Sequence, residues 1–384
     1  HLLVYALGSA GLFLFLRKRD VTVLGFAAAN LIYFFSFFHL YHQQHFNMVL
    51  TTWLFPFLIY LLDQFVSKKQ MRYLILNALS LAFCFYLGSF QVILLILLVQ
   101  GAYLFFYSQD TKEFFTRVGI YAFLFLALVL PALPGMLDLY AYSNRSGQEA
   151  FTQGSFSPAM FVSTVFPFLF NFGDDYMGAI VSRDYFMHET YVYLGVAAFI
   201  FSLFGFKFVK DEKFKKFLLL LVSLFLFLGF IKYVPLLRSI DLVPFSFFRY
   251  WIRSAFLFNF VVAVLCGYFI SFASRKSFSV KLGDLKFILP FAVYLGVLEI
   301  VNFGKTHSLT ILHLLARDDY VFGFWYVIWG VVVILAVLTL VFSKKLGNRI
   351  PAVACALVFV DLLVFGILSF NTGVRGIPEI LPQV

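Results

Sequence analysis

The sequence predicts an all-α, polytopic transmembrane bundle of about 12 spans, and three observations carry that expectation. Of its 384 residues, 62% are hydrophobic and only 12% are charged, against roughly 45 to 50% and about 25% in a soluble domain. Apolar runs of roughly 17 to 20 residues recur along the chain, each long enough at about 1.5 Å per residue to cross ~30 Å of hydrocarbon. The runs lack the alternating pattern of barrel strands, and unpaired amides are costly in lipid, so the spanning elements are helices.

The placement of charge orders these helices. A net charge of +10 would point to nucleic acid in a soluble protein, but in a membrane chain the location of each basic residue matters more than the sum, and no nucleic-acid partner is expected. Six connections hold 20 of the 29 Lys and Arg: RKRD from Arg17, SKKQMR from Ser67, QDTKEFFTR from Gln109, KFVKDEKFKK from Lys207, SRKSFSVKLGDLK from Ser274 and SKKLGNR from Ser343. These are expected on the cytoplasmic side. The alternate connections begin at His39, Gly88, Leu137, Lys232, Gly304 and Asn371; they are longer, richer in Pro, Asp, Asn, His and aromatic residues, and are expected outside.

The resulting spans are approximately 1–16, 21–38, 46–62, 73–87, 90–107, 115–133, 190–206, 214–231, 254–272, 286–303, 322–342 and 350–370, all within one transmembrane domain covering 1–384. The pair flanking GSFQ at Gly88 is read as a hairpin, because the apolar stretch after Arg72 is too long for one ordinary span. The long external loop 137–189 contains an apolar but Pro-broken piece from Ser157, SPAMFVSTVFPFLF, expected to lie in the interface or to re-enter it. No internal repeat is evident. His1 falls inside an apolar run and NTGVRGIPEILPQV follows the last one, so a first span with its outer loop, and a soluble C-terminal domain, are expected beyond the two ends. Cys84, Cys266 and Cys355 sit far apart within apolar runs and read as small core residues.

Four constellations can carry chemistry. His39, His42 and His45 recur at three-residue spacing where a span meets the outer face; on a helix they fan across one side and could hydrogen-bond a sugar or phosphate, while the same residues serve as interfacial helix caps. No carboxylate or Cys lies nearby in sequence to complete a metal site, so none is assigned. In the loop 137–189, Asp174 and Asp175 could ligate a divalent cation or form a solvated turn, and Glu189 beside His188 stands at the mouth of a span. Arg249 and Arg253 are four apart, one turn on a helix, at the outer end of a span. Their planar donor forks suit a phosphate or pyrophosphate, though snorkelling to lipid headgroups uses the same geometry. Glu299 and Asp361 lie within spans, where carboxylates are costly; they act in function or serve packing.

Several segments together resemble one family. In order they are HLYHQQHFNMVLTTWLFPFLIYLL, the turn GSFQ, LVLPALPGMLDLYAYSNRSG, HETYVYLGVAAFIFSLFGF, VPFSFFRYWIRSAFLFNFVVAVLCGY and DLLVFGILSFNTGVRGIPEILP. Their order and spacing resemble the YfhO-type bacterial membrane proteins, which are regarded as glycosyltransferases of the GT-C type. The resemblance implies a cell-membrane enzyme with its active face external. Such an enzyme takes a sugar from a polyprenyl-phosphate carrier and transfers it to a cell-envelope polymer such as teichoic acid. It also implies a general base in a first external loop upstream of His1, so no catalytic residue is assigned within this chain.

A polyprenyl donor joins a membrane-soluble tail to an anionic phosphate, and its site needs a lipid-facing groove capped by cations. Arg249 and Arg253 are the expected phosphate ligands, with His42, Arg145, His188 and Glu189 lining the sugar and acceptor cavity. No cofactor is assigned, and a divalent cation stays open. The alternative is a transporter or flippase of lipid-linked saccharides, which would show a midplane cavity lined by Glu299 or Asp361 with broken helices around it. A third reading, a non-catalytic assembly subunit, would have no enclosed pocket.

Overall fold

The computed structural model describes residues 2–135, 138, 164–165, 192–231, 251–273 and 320–376, and among them the regular structure is helical with no strand. In chain order the α-helices of five or more residues are α1 (Leu2–Arg17), α2 (Val23–Phe34), a short α3 (Phe37–Tyr41), α4 (Phe46–Lys68), α5 (Met71–Tyr86), α6 (Phe90–Tyr107), α7 (Thr111–Val129), α8 (Val196–Gly205), α9 (Glu212–Gly229), α10 (Ala255–Ala273), α11 (Tyr320–Val341) and α12 (Ile350–Gly376). Among the described residues, five helical stretches are long and apolar enough to cross a membrane: Phe46–Lys68, Phe90–Tyr107, Thr111–Gly135, Trp251–Ala273 and Ser343–Val364. Shorter apolar helices accompany them.

The side chains are distributed as in a protein surrounded by lipid. Phe105, Phe115, Phe123 and Val341 stand more than half exposed, whereas Thr52, Asn77, Gln100 and Asn259 are buried. Water would not tolerate that surface, and hydrocarbon requires those polar groups to pair inside. Asn77 on α5 shows how they do so. Its amide donates to the Leu58 carbonyl of α4 (2.6 Å), and its Oδ1 accepts from Gln100 of α6 (2.9 Å) and from the Tyr121 hydroxyl of α7 (2.7 Å). The Asn77 to Gln100 bond requires α6 to fold back along α5. Gly88, at φ 85°, makes the reversal, so the two are a hairpin and not one interrupted helix.

At the lysine-rich end, sequence signals stop and start the helices. Thr22 caps α2 through Gly25 N–H (3.2 Å), Asp110 caps α7 through Glu113 N–H (2.7 Å), and Asp211 caps α9 through Lys213 and Phe214 N–H (2.9 and 3.2 Å). These are the side-chain acceptors that unpaired first-turn amides require. Asp63 of α4, buried at this end, accepts from Lys18 (2.7 Å), Arg19 (2.8 Å) and the Tyr103 hydroxyl (2.6 Å). The Arg19 guanidinium also lies over the rings of Phe15 and Phe214. A buried carboxylate is tolerable only with such company.

Helix α10 forms the centre of the bundle, with α2, α8, α9 and α12 packed around it. Close approach depends on glycine. A Cβ at Gly205 of α8 would fall 1.9 Å from the Leu265 carbonyl oxygen of α10, and one at Gly25 of α2 would fall 2.5 Å from the Gly267 carbonyl oxygen. Without a hydrophobic force between helices in lipid, such backbone contact is a main source of association.

Two helices cover less of their expected spans than the hydropathy implied. Helix α2 stops at Phe34 within 21–38, and α8 starts only at Val196 within 190–206. Ser36, extended and at the first boundary of α3, separates it from α2, while Gly195, at φ 91°, precedes α8. The expected span 286–303, Glu299, and the loop 137–189 apart from residues 138, 164 and 165 lie outside the described residues. Val165, from the expected interfacial piece, is buried, and its carbonyl accepts from the Trp329 indole of α11 (2.7 Å).

Replacing Gly205 by Ala is expected to cost about 1 to 3 kcal/mol through overpacking against the α10 backbone. Gly119→Ala, where nothing lies within 4 Å, should leave stability unchanged or raise it by up to about 1 kcal/mol. Thermal midpoints of the two purified variants in detergent check the contrast, and equal midpoints would contradict the close crossing.

Candidate functional site

Backbone interruptions at membrane depth need partners, because hydrocarbon supplies none. Where α2 gives way to α3, Phe37 N–H donates to the Tyr193 carbonyl (3.0 Å), which joins the break in one helix to the extended residues before α8. The first turn of α8 is completed from another helix. Asp361, twelve residues into α12, accepts from Ala197 N–H (3.1 Å) through one oxygen and from the Tyr193 hydroxyl (2.5 Å) through the other. A Cβ at Gly195 would come within 3.1 Å of the same carboxylate. Asp361 is therefore a helix cap supplied in trans, and its position within an apolar helix follows from the amides it satisfies.

Next to this junction lies a buried chain of neutral polar groups. His39 Nε2 is 3.0 Å from Thr52 Oγ1 and Nδ1 is 3.2 Å from Ser36 Oγ, while the Asn259 amide of α10 donates to Ser36 Oγ (2.7 Å). Thr52 donates to the Met48 carbonyl (3.1 Å). One proton assignment links the four: Asn259 to Ser36, Ser36 to His39 Nδ1, His39 Nε2 to Thr52, and Thr52 to the Met48 carbonyl of α4, while Ser36 Oγ also lies 3.3 Å from the Tyr33 carbonyl. The His39 ring is fully buried, and its partners are neutral hydroxyls. At the open end of the chain, Asn259 Oδ1 is buried with no hydrogen-bond partner, as is Ser254 Oγ five residues earlier.

The three histidines do not share one helix face as their spacing predicts. His39 is in α3, His42 opens a 3₁₀ turn (His42–Gln44), and His45 caps α4. The turn between α2 and α4 is too tight for a continuous helix, so each ring takes a different environment. His42 is fully buried; its Nδ1 donates to the Phe38 carbonyl (2.7 Å) and its ring lies 4.5 Å from that of Phe38. Arg253 lies in a 3₁₀ turn (Trp251–Ser254) leading into α10 and is partly exposed.

The depth of these residues follows from how α2 and α10 pair. Ser36 meets Asn259 at one end and Thr22 meets Ser271 (3.1 Å) at the other, so the two helices run antiparallel. Arg253 and His42 therefore share one end of the bundle, opposite the Lys18, Arg19 and Asp63 network. Arg253 precedes Asn259 by six residues, about 9 Å further along the axis. Arg249, Arg145, His188 and Glu189 lie outside the described residues.

No family model, curated protein or solved structure matches this chain. Among the described residues, no three His, Cys, Asp or Glu side chains gather as a metal site would require. What the arrangement offers is a neutral, buried hydrogen-bonding layer with an unused acceptor, beneath a connection that carries an arginine. Such a layer suits a hydroxyl-bearing neutral group better than an anion, whose charge it does not balance.

Ser36, Thr52, Tyr193 and Asn259 escaped the reading of the sequence. The available signal was Asn259 in the otherwise apolar run AFLFNFVVAV, and Ser36 three residues before His39.

Proposed function

We propose that this protein is a membrane glycosyltransferase of the GT-C type, with about twelve spans, that transfers a sugar from a polyprenyl-phosphate carrier to a cell-envelope polymer such as teichoic acid on the external face. The single observation that carries the reading is the unused, fully buried acceptor Asn259 Oδ1, at the end of a neutral hydrogen-bonded chain on the side of the bundle where Arg253 sits. The donor lipid has the matching parts, an anionic phosphate at the interface and a hydroxyl-rich sugar beside it. In this proposal Arg249 and Arg253 hold the phosphate and stabilise it as it departs, and His42, Arg145, His188 and Glu189 line the cavity for sugar and acceptor.

A transporter of lipid-linked saccharides is supported by the helix breaks around Asp361. Weighing against it is the state of that carboxylate, which is 5% exposed and has both oxygens engaged by Tyr193 and Ala197. A carboxylate lining a transport path would instead face an open cavity.

Reconstitution of the protein with polyprenyl-phosphate sugars tests the proposal. Arg249→Ala with Arg253→Ala is expected to lower transfer by about 100-fold or more, as for loss of charge stabilisation in the transition state. Transfer at the unmodified rate would refute the role of the two arginines, and carriage of intact lipid-linked saccharide without transfer would favour the transporter.

A further inference from the structure

The opposite end of the bundle carries a different arrangement, at the tight connection between α4 and α5. Lys69 takes the left-handed conformation (φ 55°) and its N–H returns to the Phe65 carbonyl (2.7 Å), so Lys68 and Arg72 are brought to the same side of the turn. Both then converge on one side chain. Lys68 Nζ and Arg72 Nη2 each donate to the Tyr73 hydroxyl oxygen at 3.3 Å, and both cations lie over the Tyr73 ring, at 5.4 and 5.0 Å from its centre.

Nothing anionic balances this pair among the described residues. Asp63 is occupied by Lys18 and Arg19, and Glu113 by Arg117 (2.5 Å) and Lys69 (3.9 Å). Two unbalanced cations held against one oxygen repel each other, and a phosphate placed between them would remove that cost while accepting from both. The Tyr73 hydroxyl accepts in both of these bonds, which leaves its own proton to donate to the same phosphate.

A second feature indicates what the phosphate is attached to. Directly behind Arg72, the face of α5 formed by Ile75, Leu76, Leu79 and Phe83 is exposed, each side chain between 42% and 53%. These positions follow helical spacing and run from the cationic turn toward the middle of the membrane. A cationic head site above a continuous apolar stripe has the shape and polarity of a phospholipid.

We propose that Lys68, Arg72 and Tyr73 form a binding site for the phosphate of an anionic phospholipid, whose acyl chain lies along Ile75, Leu76, Leu79 and Phe83. The site is independent of the glycosyltransferase reading. It holds an annular lipid in a fixed place on the lysine-rich end of α4 and α5.

The test uses the full chain purified in non-ionic detergent, with bound phosphatidylglycerol counted by native mass spectrometry during a lipid titration. Lys68→Gln with Arg72→Gln is expected to weaken the tightest binding event about 30-fold, and Arg72→Gln alone about 5-fold, as for loss of two or one interfacial cations. Lys344→Gln with Lys345→Gln, the same charge change on another connection, should leave that event unchanged. The side chains substituted are exposed, so the lipid-free thermal midpoint should not move. Equal weakening in both double variants, or none in the first, would overturn the proposal. Saturation of the site by glycerol 3-phosphate as tightly as by the lipid would overturn the choice of a lipid over a free phosphate.

Discussion

Hydrocarbon offers no hydrogen-bond partners, and a polar group that this chain carries into its bundle is costly unless it finds one inside the protein. That constraint makes the backbone helical, and it also decides where the helices can stop. The breaks after Phe34 and before Val196 persist because Phe37 N–H reaches the Tyr193 carbonyl and Ala197 N–H reaches Asp361. Removing either partner would leave an amide unpaired in the interior, a penalty larger than the bond's own net contribution.

The same constraint is met in two different ways at the two ends. At the lysine-rich end, charges are paired with charges: Lys18 and Arg19 with Asp63, Arg117 with Glu113. At the other end, His39, Ser36, Thr52 and Asn259 form a chain without formal charge. Charged pairs sit where water and headgroups moderate their desolvation, and the deeper layer uses neutral donors and acceptors. The unused acceptor in the neutral layer is matched to a hydroxyl donor, and the cationic pair at the opposite surface to a phosphate, in the two roles proposed for them.

Much of the helical architecture was legible in the sequence, because an apolar run of membrane length has few alternatives and because basic clusters such as RKRD and SKKQMR mark helix ends. Helix α6 runs from Phe90 to Tyr107, as its hydropathy predicts. The interruptions were not legible. Ser36 and Gly195 are unremarkable within hydrophobic context, and their effect depends on Tyr193 and Asp361, which are 157 and 166 positions away from them respectively in sequence. The histidine cluster illustrates the same limit. Three-residue spacing marked the junction between α2 and α4, but a 3₁₀ turn replaced the helix that would have aligned the rings. Asp361 was visible as a costly carboxylate, while its task as a cap in trans required knowing which helix begins beside it.

Whether the charged and neutral layers lie at opposite membrane surfaces is most directly measured by labelling single cysteines, in a background lacking Cys84, Cys266 and Cys355, with a membrane-impermeant thiol reagent on intact cells. Arg253→Cys should be labelled from outside, and Lys68→Cys only after the membrane is permeabilised. Labelling of both from the same side would contradict the two-ended arrangement on which the placement of the candidate site depends.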